Sequence, residues 1–176
     1  ERGIVCPYAC SLSTALLRMP LFLSKQKGSG KVTKYGLAEN VPIYTFNAYL
    51  RKHFHERVQR VSLHAGFTCP NRDGTKSTDG CSFCNNAAFS YFCRSRKPLT
   101  EQIEEAMRFC QHRYGAKKFI AYFQSYSNTY ASVSELRSAY ESIRAYPSIV
   151  GLCISTRPDC VDEEKIRCIA EYKKDY

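Results

Sequence analysis

The chain has 176 residues, a formal net charge of +10 and ten cysteines. That length predicts one domain with enough chain for a real core. Ten cysteines would suggest a small disulfide-stapled secreted scaffold, but they are mostly scattered and no segment reads as a secretory signal, so reduced thiols in the cytoplasm are expected.

Residues 1–40 read as a basic, flexible extension with Gly28-Ser29-Gly30 as a linker. No acidic residue occurs from Arg2 to Ala38, while Arg18, Lys25, Lys27, Lys31 and Lys34 are basic. Leu16 to Leu23 is mostly apolar, but Arg18 and Pro20 interrupt it and it is too short to span a bilayer, so no membrane partner is expected. The acid-poor, serine-containing composition also suits an organellar transit peptide, which makes an organelle the alternative location. A start at Met19 would instead make the preceding residues upstream translation. Cys6 and Cys10 stand as C-x3-C without flanking ligands to complete a second metal site.

Residues 41–176 carry the structured pattern. Tyr44 to Phe54 predicts an amphipathic helix with Phe46, Tyr49, Leu50 and Phe54 inward and Arg51 and Lys52 outward; Arg57 and Arg60 extend the basic face. Val58 to Ala65 alternates apolar and polar residues as a half-buried strand does. Pro98 and Thr100 open a helix with Ile103, Ala106, Met107, Cys110 and Tyr114 at helical spacing, ended by Gly115. Phe119 to Phe123 is a short apolar strand. Ser132 and Glu135 form a capping box ahead of Val133, Leu136, Tyr140 and Ile143, and Pro147 stops that helix. Ile149 to Ile154 is a third strand, and Asp162 caps a last helix carrying Ile166, Ile169 and Ala170. Strand, loop and helix in repeated order predict an α/β fold with a parallel sheet and right-handed crossovers.

Between the first strand and its helix lies the cluster Cys69, Cys81 and Cys84, spaced C-x11-C-x2-C. Thiolates select zinc, copper(I) or iron–sulfur centres. Structural zinc and ordinary iron–sulfur clusters take four ligands, so three imply an open coordination position. Pro70 and Asn71-Arg72-Asp73-Gly74 are turn formers, which makes the spacer a compact loop. Gly80 lets the backbone approach a bulky group, and Phe83 places a ring between the last two ligands. The loop starts at a strand's end, where α/β folds gather their sites. Spacing alone leaves a zinc site open, with Cys93 or His64 as the fourth ligand; Cys93 reads otherwise as a core residue.

From about Tyr44 onward the chain resembles the radical S-adenosylmethionine (SAM) enzymes, specifically the YhcC-type group related to the radical SAM domain of the Elongator catalytic subunit. The blocks that carry the likeness are Ser62 to Gly74, Gly80 to Cys84, Phe119 to Tyr130 and Gly151 to Asp159. The cysteine spacing is longer than the superfamily's usual C-x3-C-x2-C, in the form this group resembles. The resemblance implies that Cys69, Cys81 and Cys84 bind a 4Fe–4S cluster whose fourth iron holds the amino and carboxylate groups of SAM. Reductive cleavage then gives methionine and a 5′-deoxyadenosyl radical. It also implies an electron donor such as flavodoxin or ferredoxin.

Gln124, Ser125 and Asn128 follow the second strand, where such folds place groups for the SAM amino end; the usual Gly-Gly-Glu form is absent here. Ser155, Thr156 and Arg157 follow the third strand, with Arg157 expected to pair with the SAM carboxylate. Phe83 is counted with Gln124, Ser155 and Arg157 as cofactor-binding. Helix caps and loop polars account for Ser125 and Ser155 as well.

The implied architecture is a partial (βα) barrel, of which only the first three units are present. Because the chain starts at Glu1 rather than methionine, it is expected to be a fragment cut after the third helix, with Ile149 to Ile154 as an unpaired edge strand. Net charge and the basic helix allow an RNA substrate. The competing function is a basic, zinc-stabilised module that binds nucleic acid without catalysis.

Overall fold

Three six-residue strands form the frame of the computed structural model, which describes residues 5–6, 44–93 and 95–176. Apart from Val5 and Cys6, the N-terminal extension, its glycine–serine linker and Cys10 lie outside the described residues.

In chain order the elements are β1 (Val5–Cys6), α1 (Phe46–Phe54), β2 (Val58–Leu63), α2 (Asn86–Phe89), α3 (Leu99–Tyr114), β3 (Lys118–Phe123), α4 (Val133–Glu141), β4 (Ile149–Ile154) and α5 (Glu163–Glu171). The sheet order is β1-β4-β3-β2 and every pairing is parallel. The α/β class and the alternation of strand and helix are as expected. The edge is not: Val5 and Cys6 pair with Leu152 and Cys153, so β4 is covered there rather than bare.

The register of β2 on β3 is regular from Val58–Lys118 to Leu63–Phe123. Between β3 and β4 it slips after Phe119, so that Ile120 faces Gly151. A Cβ at position 151 would stand 3.2 Å from Ile120 Cγ1, tighter than side chains normally pack, and this is where glycine earns its place.

Local signals in the sequence set the helix ends. Thr45 Oγ1 accepts from the Ala48 amide at 3.2 Å, starting α1 two residues later than the apolar pattern suggests. The capping box forms at α4, with Ser132 Oγ accepting from the Glu135 amide at 3.3 Å and Glu135 Oε2 from the Ser132 amide at 2.9 Å. Asp162 caps α5, and Gly115 ends α3 at φ 63°.

One face of the sheet carries Val61, Leu63, Phe119, Ala121, Phe123, Leu152 and Ile154, covered by Ile103, Leu136, Tyr140 and Tyr172. The other face carries Val58, Ile120, Tyr122 and Cys153, against which α1 lays Leu50. Phe46, expected inward, is instead 45% exposed and stacks on Tyr49, while Leu50, with Tyr49 and Phe54 partly buried beside it, packs this short helix on the sheet. Among the described residues no helix is long and apolar enough to cross a membrane.

Candidate metal centre

The cysteine loop leaves β2 at a fixed point. Gln102, 1% exposed, accepts from the His64 amide through Oε1 (2.8 Å) and donates through Nε2 to the carbonyls of His64 (3.0 Å) and Lys97 (2.8 Å). A helix side chain thus replaces the sheet partner that the strand end lacks. No sequence pattern announced it, since Gln102 sits among exposed glutamates on α3.

Beyond it the spacer folds back on itself. Cys69 O accepts from the amides of Arg72 (2.8 Å) and Asp73 (3.2 Å), Pro70 O from Lys76 (2.8 Å), and Asn71 O from Gly80 (2.8 Å). The last bond brings residue 80 beside residue 71 and closes the spacer. Asn71 Nδ2 then donates to Cys81 Sγ at 3.2 Å, and the Cys84 amide to Cys81 O at 2.9 Å. The turn-former reading of the spacer holds.

Gly80 leaves room for the side chain of Arg72. At φ 80° a Cβ there would stand 2.8 Å from the Arg72 guanidinium, whose Nη2 donates to Cys84 O at 3.2 Å.

Cys69 is buried, Cys81 and Cys84 are half-buried, and all three are free thiols. Cys93 is buried, in keeping with its core reading. Asn86 is also buried: its Oδ1 accepts from the Cys84 thiol at 3.8 Å, and its Nδ2 has no partner. His64 Nδ1 is another buried nitrogen without one, and burial pushes that imidazole below its ordinary pKa. These surroundings suit thiolates: one sulfur already receives an N–H, and a second amide N–H is spare beside another. Among the described residues no three His, Cys, Asp or Glu side chains stand close enough together to hold a metal ion.

The second tier divides. Gln124 is 5% exposed and its Oε1 accepts from Ser62 Oγ at 3.0 Å, at the end of the sheet. Ser155 takes part through its backbone: its amide donates to Phe123 O (2.9 Å) and its carbonyl accepts from the Asn128 amide (2.8 Å) and Nδ2 (3.1 Å). Asn128 Nδ2 also reaches Phe123 O and Ser125 O, both at 3.1 Å, and Tyr140 OH donates to Asn128 O. Asn128 is therefore the clasp that joins the ends of β3 and β4. Ser125 is fully buried on Ser90.

Arg157 is already engaged. Its Nε and Nη2 each reach Asp159 at 2.9 Å, and Asp159 also holds Lys76 of the cysteine loop. Arg157 first, then Lys76, keeps the Asp159 carboxyl well below the usual range. Cys69 lies within electrostatic reach of Arg157 and of the buried Cys160. Phe83 is 79% exposed, so its ring has no protein face to pack on.

The loop after β3 closes the arrangement. Tyr126 adopts φ 64°, a conformation that side chains other than glycine seldom take, and such positions gather at functional sites. Arg72 lies over its ring at 5.6 Å, and the Ser127 amide donates to Thr68 O at 3.2 Å. An open groove lined by Ser132, Val133, Arg137 and Lys165 lies at the starts of α4 and α5, away from the cysteines.

Fold and site together define an α/β protein whose parallel sheet presents a three-thiol loop at the C-terminal end of its first long strand. Over 128 residues the chain is 40% identical to Protein YhcC of Escherichia coli (strain K12), covering 73% of this chain and 40% of that protein. It is also 40% identical over 129 residues to Uncharacterized protein YtqA of Bacillus subtilis (strain 168), and 34% identical over 130 residues to Uncharacterized protein MJ0486 of Methanocaldococcus jannaschii. The chain thus spans about 40% of the length of these curated relatives. No protein-family model matches it, and no solved structure does.

Proposed function

We propose that this chain is the N-terminal part of a radical SAM enzyme, its three strand–helix units being the start of a partial barrel. Cys69, Cys81 and Cys84 would hold a 4Fe–4S cluster. When bound, such a cluster supplies the electron for reductive cleavage of SAM to a 5′-deoxyadenosyl radical. The observation that carries the reading is the folded cysteine loop, in which the Gly80–Asn71 bond closes the spacer, Asn71 donates to Cys81 sulfur, and all three cysteines are free, although their thiols do not stand together as one ligand set.

The chain's own groups suit thiolate ligands. Asn71 donates an N–H to Cys81 sulfur, which disperses negative charge there and raises the potential of anything bound to it. Asn86 has an unpartnered buried amide to turn toward a Cys84 thiolate. Arg72 adds a cation beside the loop. On the SAM side stand Gln124, Ser155, Phe83 and Arg157. Because Arg157 is bidentate on Asp159, it would meet a ligand carboxylate only by sharing or releasing that partner. Exposed Phe83 leaves a ring free for a ligand.

The remaining partners belong to the same reading: SAM, a flavodoxin or ferredoxin as electron donor, and an unassigned substrate, for which the charge allows RNA. The free thiols suit a reducing compartment such as the cytoplasm.

Anaerobic reconstitution with iron and sulfide, followed by visible absorption and metal analysis, tests the proposal. A broad iron–sulfur band perturbed by SAM is expected. Cys81→Ala should lose the SAM-responsive band, and Cys93→Ala should keep it. Equal loss in both removes the three-ligand assignment. Colourless protein with one tightly held zinc moves the chain to the zinc-module alternative.

A further inference from the structure

The charge of residues 44–176 is not spread evenly along the sequence. Residues 44–176 hold 20 Lys/Arg and 14 Asp/Glu, a balance of +6. Segments 51–60 and 108–118 alone hold eight Lys/Arg and one carboxylate, Glu56, a balance of +7, leaving −1 for everything else. Elsewhere several cations are paired locally, as in Arg137–Glu171, Arg144–Asp175 and Arg167–Glu163.

The fold brings the two segments together at one end of the sheet. Val58 and Lys118 pair at the starts of β2 and β3. Glu56 meets Lys118 at 2.9 Å, Lys118 lies over the Phe54 ring at 5.7 Å, and Arg57 and Arg113 lie over Tyr114 at 5.0 and 5.4 Å. Lys52, Arg57, Arg108, Arg113 and Lys117 are exposed. Aromatic surface is exposed among them: Phe109 is 60% exposed and meets Tyr114 edge-on.

We propose that this end of the sheet is a docking surface for single-stranded nucleic acid, with the exposed Lys and Arg tracking phosphates and Phe109 offering a stacking group. Phosphate tracks need clustered cations, and unpaired bases stack on aromatic rings and guanidinium planes. A duplex would satisfy the cations but offer Phe109 no unpaired base. An acidic protein would do the same. A donor passing electrons to the cysteine loop would dock at the other end of the sheet, roughly 20 Å away along six-residue strands. The inference does not rest on the identity of the metal centre.

Fluorescence anisotropy on the full 176-residue chain tests it, with a labelled RNA of about 15 nucleotides. Binding should weaken linearly in log salt, as counterion release requires. The triple variant Lys52→Gln/Arg113→Gln/Lys117→Gln should weaken binding at least about tenfold and flatten the salt slope by up to about 2. The control Arg167→Gln/Lys173→Gln/Lys174→Gln removes the same charge from exposed positions elsewhere and should change affinity less than about twofold. Phe109→Ala should weaken single-strand binding about tenfold without altering the salt slope, and duplex binding little.

Equal weakening by both triple variants would reduce the effect to net charge and overturn the surface. Absence of binding at low salt would overturn it outright. Unchanged RNA binding in Phe109→Ala, with comparable binding of polyglutamate, would assign the surface to an acidic polypeptide instead.

Discussion

At the scale of single residues, Gly80 and Gly74 make a matched pair. Both sit in the cysteine loop at positive φ, 80° and 91°, but only a Cβ at 80 meets Arg72; at 74 nothing lies within 4 Å. Each Ala variant carries the strain of that conformation, of order 1 kcal/mol. Gly80→Ala must also displace a guanidinium, so it should lower the urea midpoint further than Gly74→Ala. Equal loss would mean that Arg72 has room to move. The residues that the sequence reading picked for chemistry and those that hold the loop differ in the same way. Cysteine spacing is visible along the chain, whereas the Arg72–Gly80 contact depends on how eight residues fold back. Likewise Arg157 reads as a cation seeking an anion until Asp159, two positions on, is seen to bind it.

Among elements, two contacts join neighbouring loops to the sheet. Gln102 holds the end of β2, and Gln102→Ala would leave the amide and carbonyl of His64 and the carbonyl of Lys97 without that partner. A cost of about 1–3 kcal/mol in chemical unfolding is expected, with faster amide exchange through residues 64–69. Asp159 ties the loop after β4 to Lys76 of the cysteine loop. Its carboxyl is depressed in the folded state, so its contribution is complete above the ordinary value of 3.8 and is lost as the pH falls from there toward the depressed value. Asp159→Asn should therefore flatten the acid limb of the stability profile below about pH 4. An unchanged limb would show the clasp to be idle. Helix caps were legible because a cap is a local bond, as at Ser132 and Glu135. The loop clasps were not, because their partners lie 38 residues apart for Gln102 and His64 and 83 for Lys76 and Asp159.

For the molecule as a whole, the core and the candidate centre are separate. Neither Cys81 nor Cys84 belongs to the buried clusters that carry the sheet. Cys81→Ala should thus unfold at the wild-type midpoint, and a large drop in stability would mean that the loop is part of the fold. Charge is separated as well: the excess cations gather at the strand N-termini, and the thiols lie at the other end of β2. Summed composition reports +10 without saying where it is. The coverage of β4 by Val5 and Cys6 is a whole-molecule feature of the same kind, joining segments about 147 residues apart.

The sequence by itself determined the α/β class, the three long strands, the caps and the cysteine loop, since each follows from periodicity, local hydrogen bonding or spacing within a few residues. Only the tertiary structure decided which polar groups were already satisfied. It turned Asn128 into a clasp, engaged Arg157 with Asp159, set Phe46 outward and gathered Arg57, Arg113 and Tyr114 onto one surface. The reason is physical: a buried polar or charged group takes whichever partner the packed chain brings within about 3 Å, and sequence distance does not encode that approach.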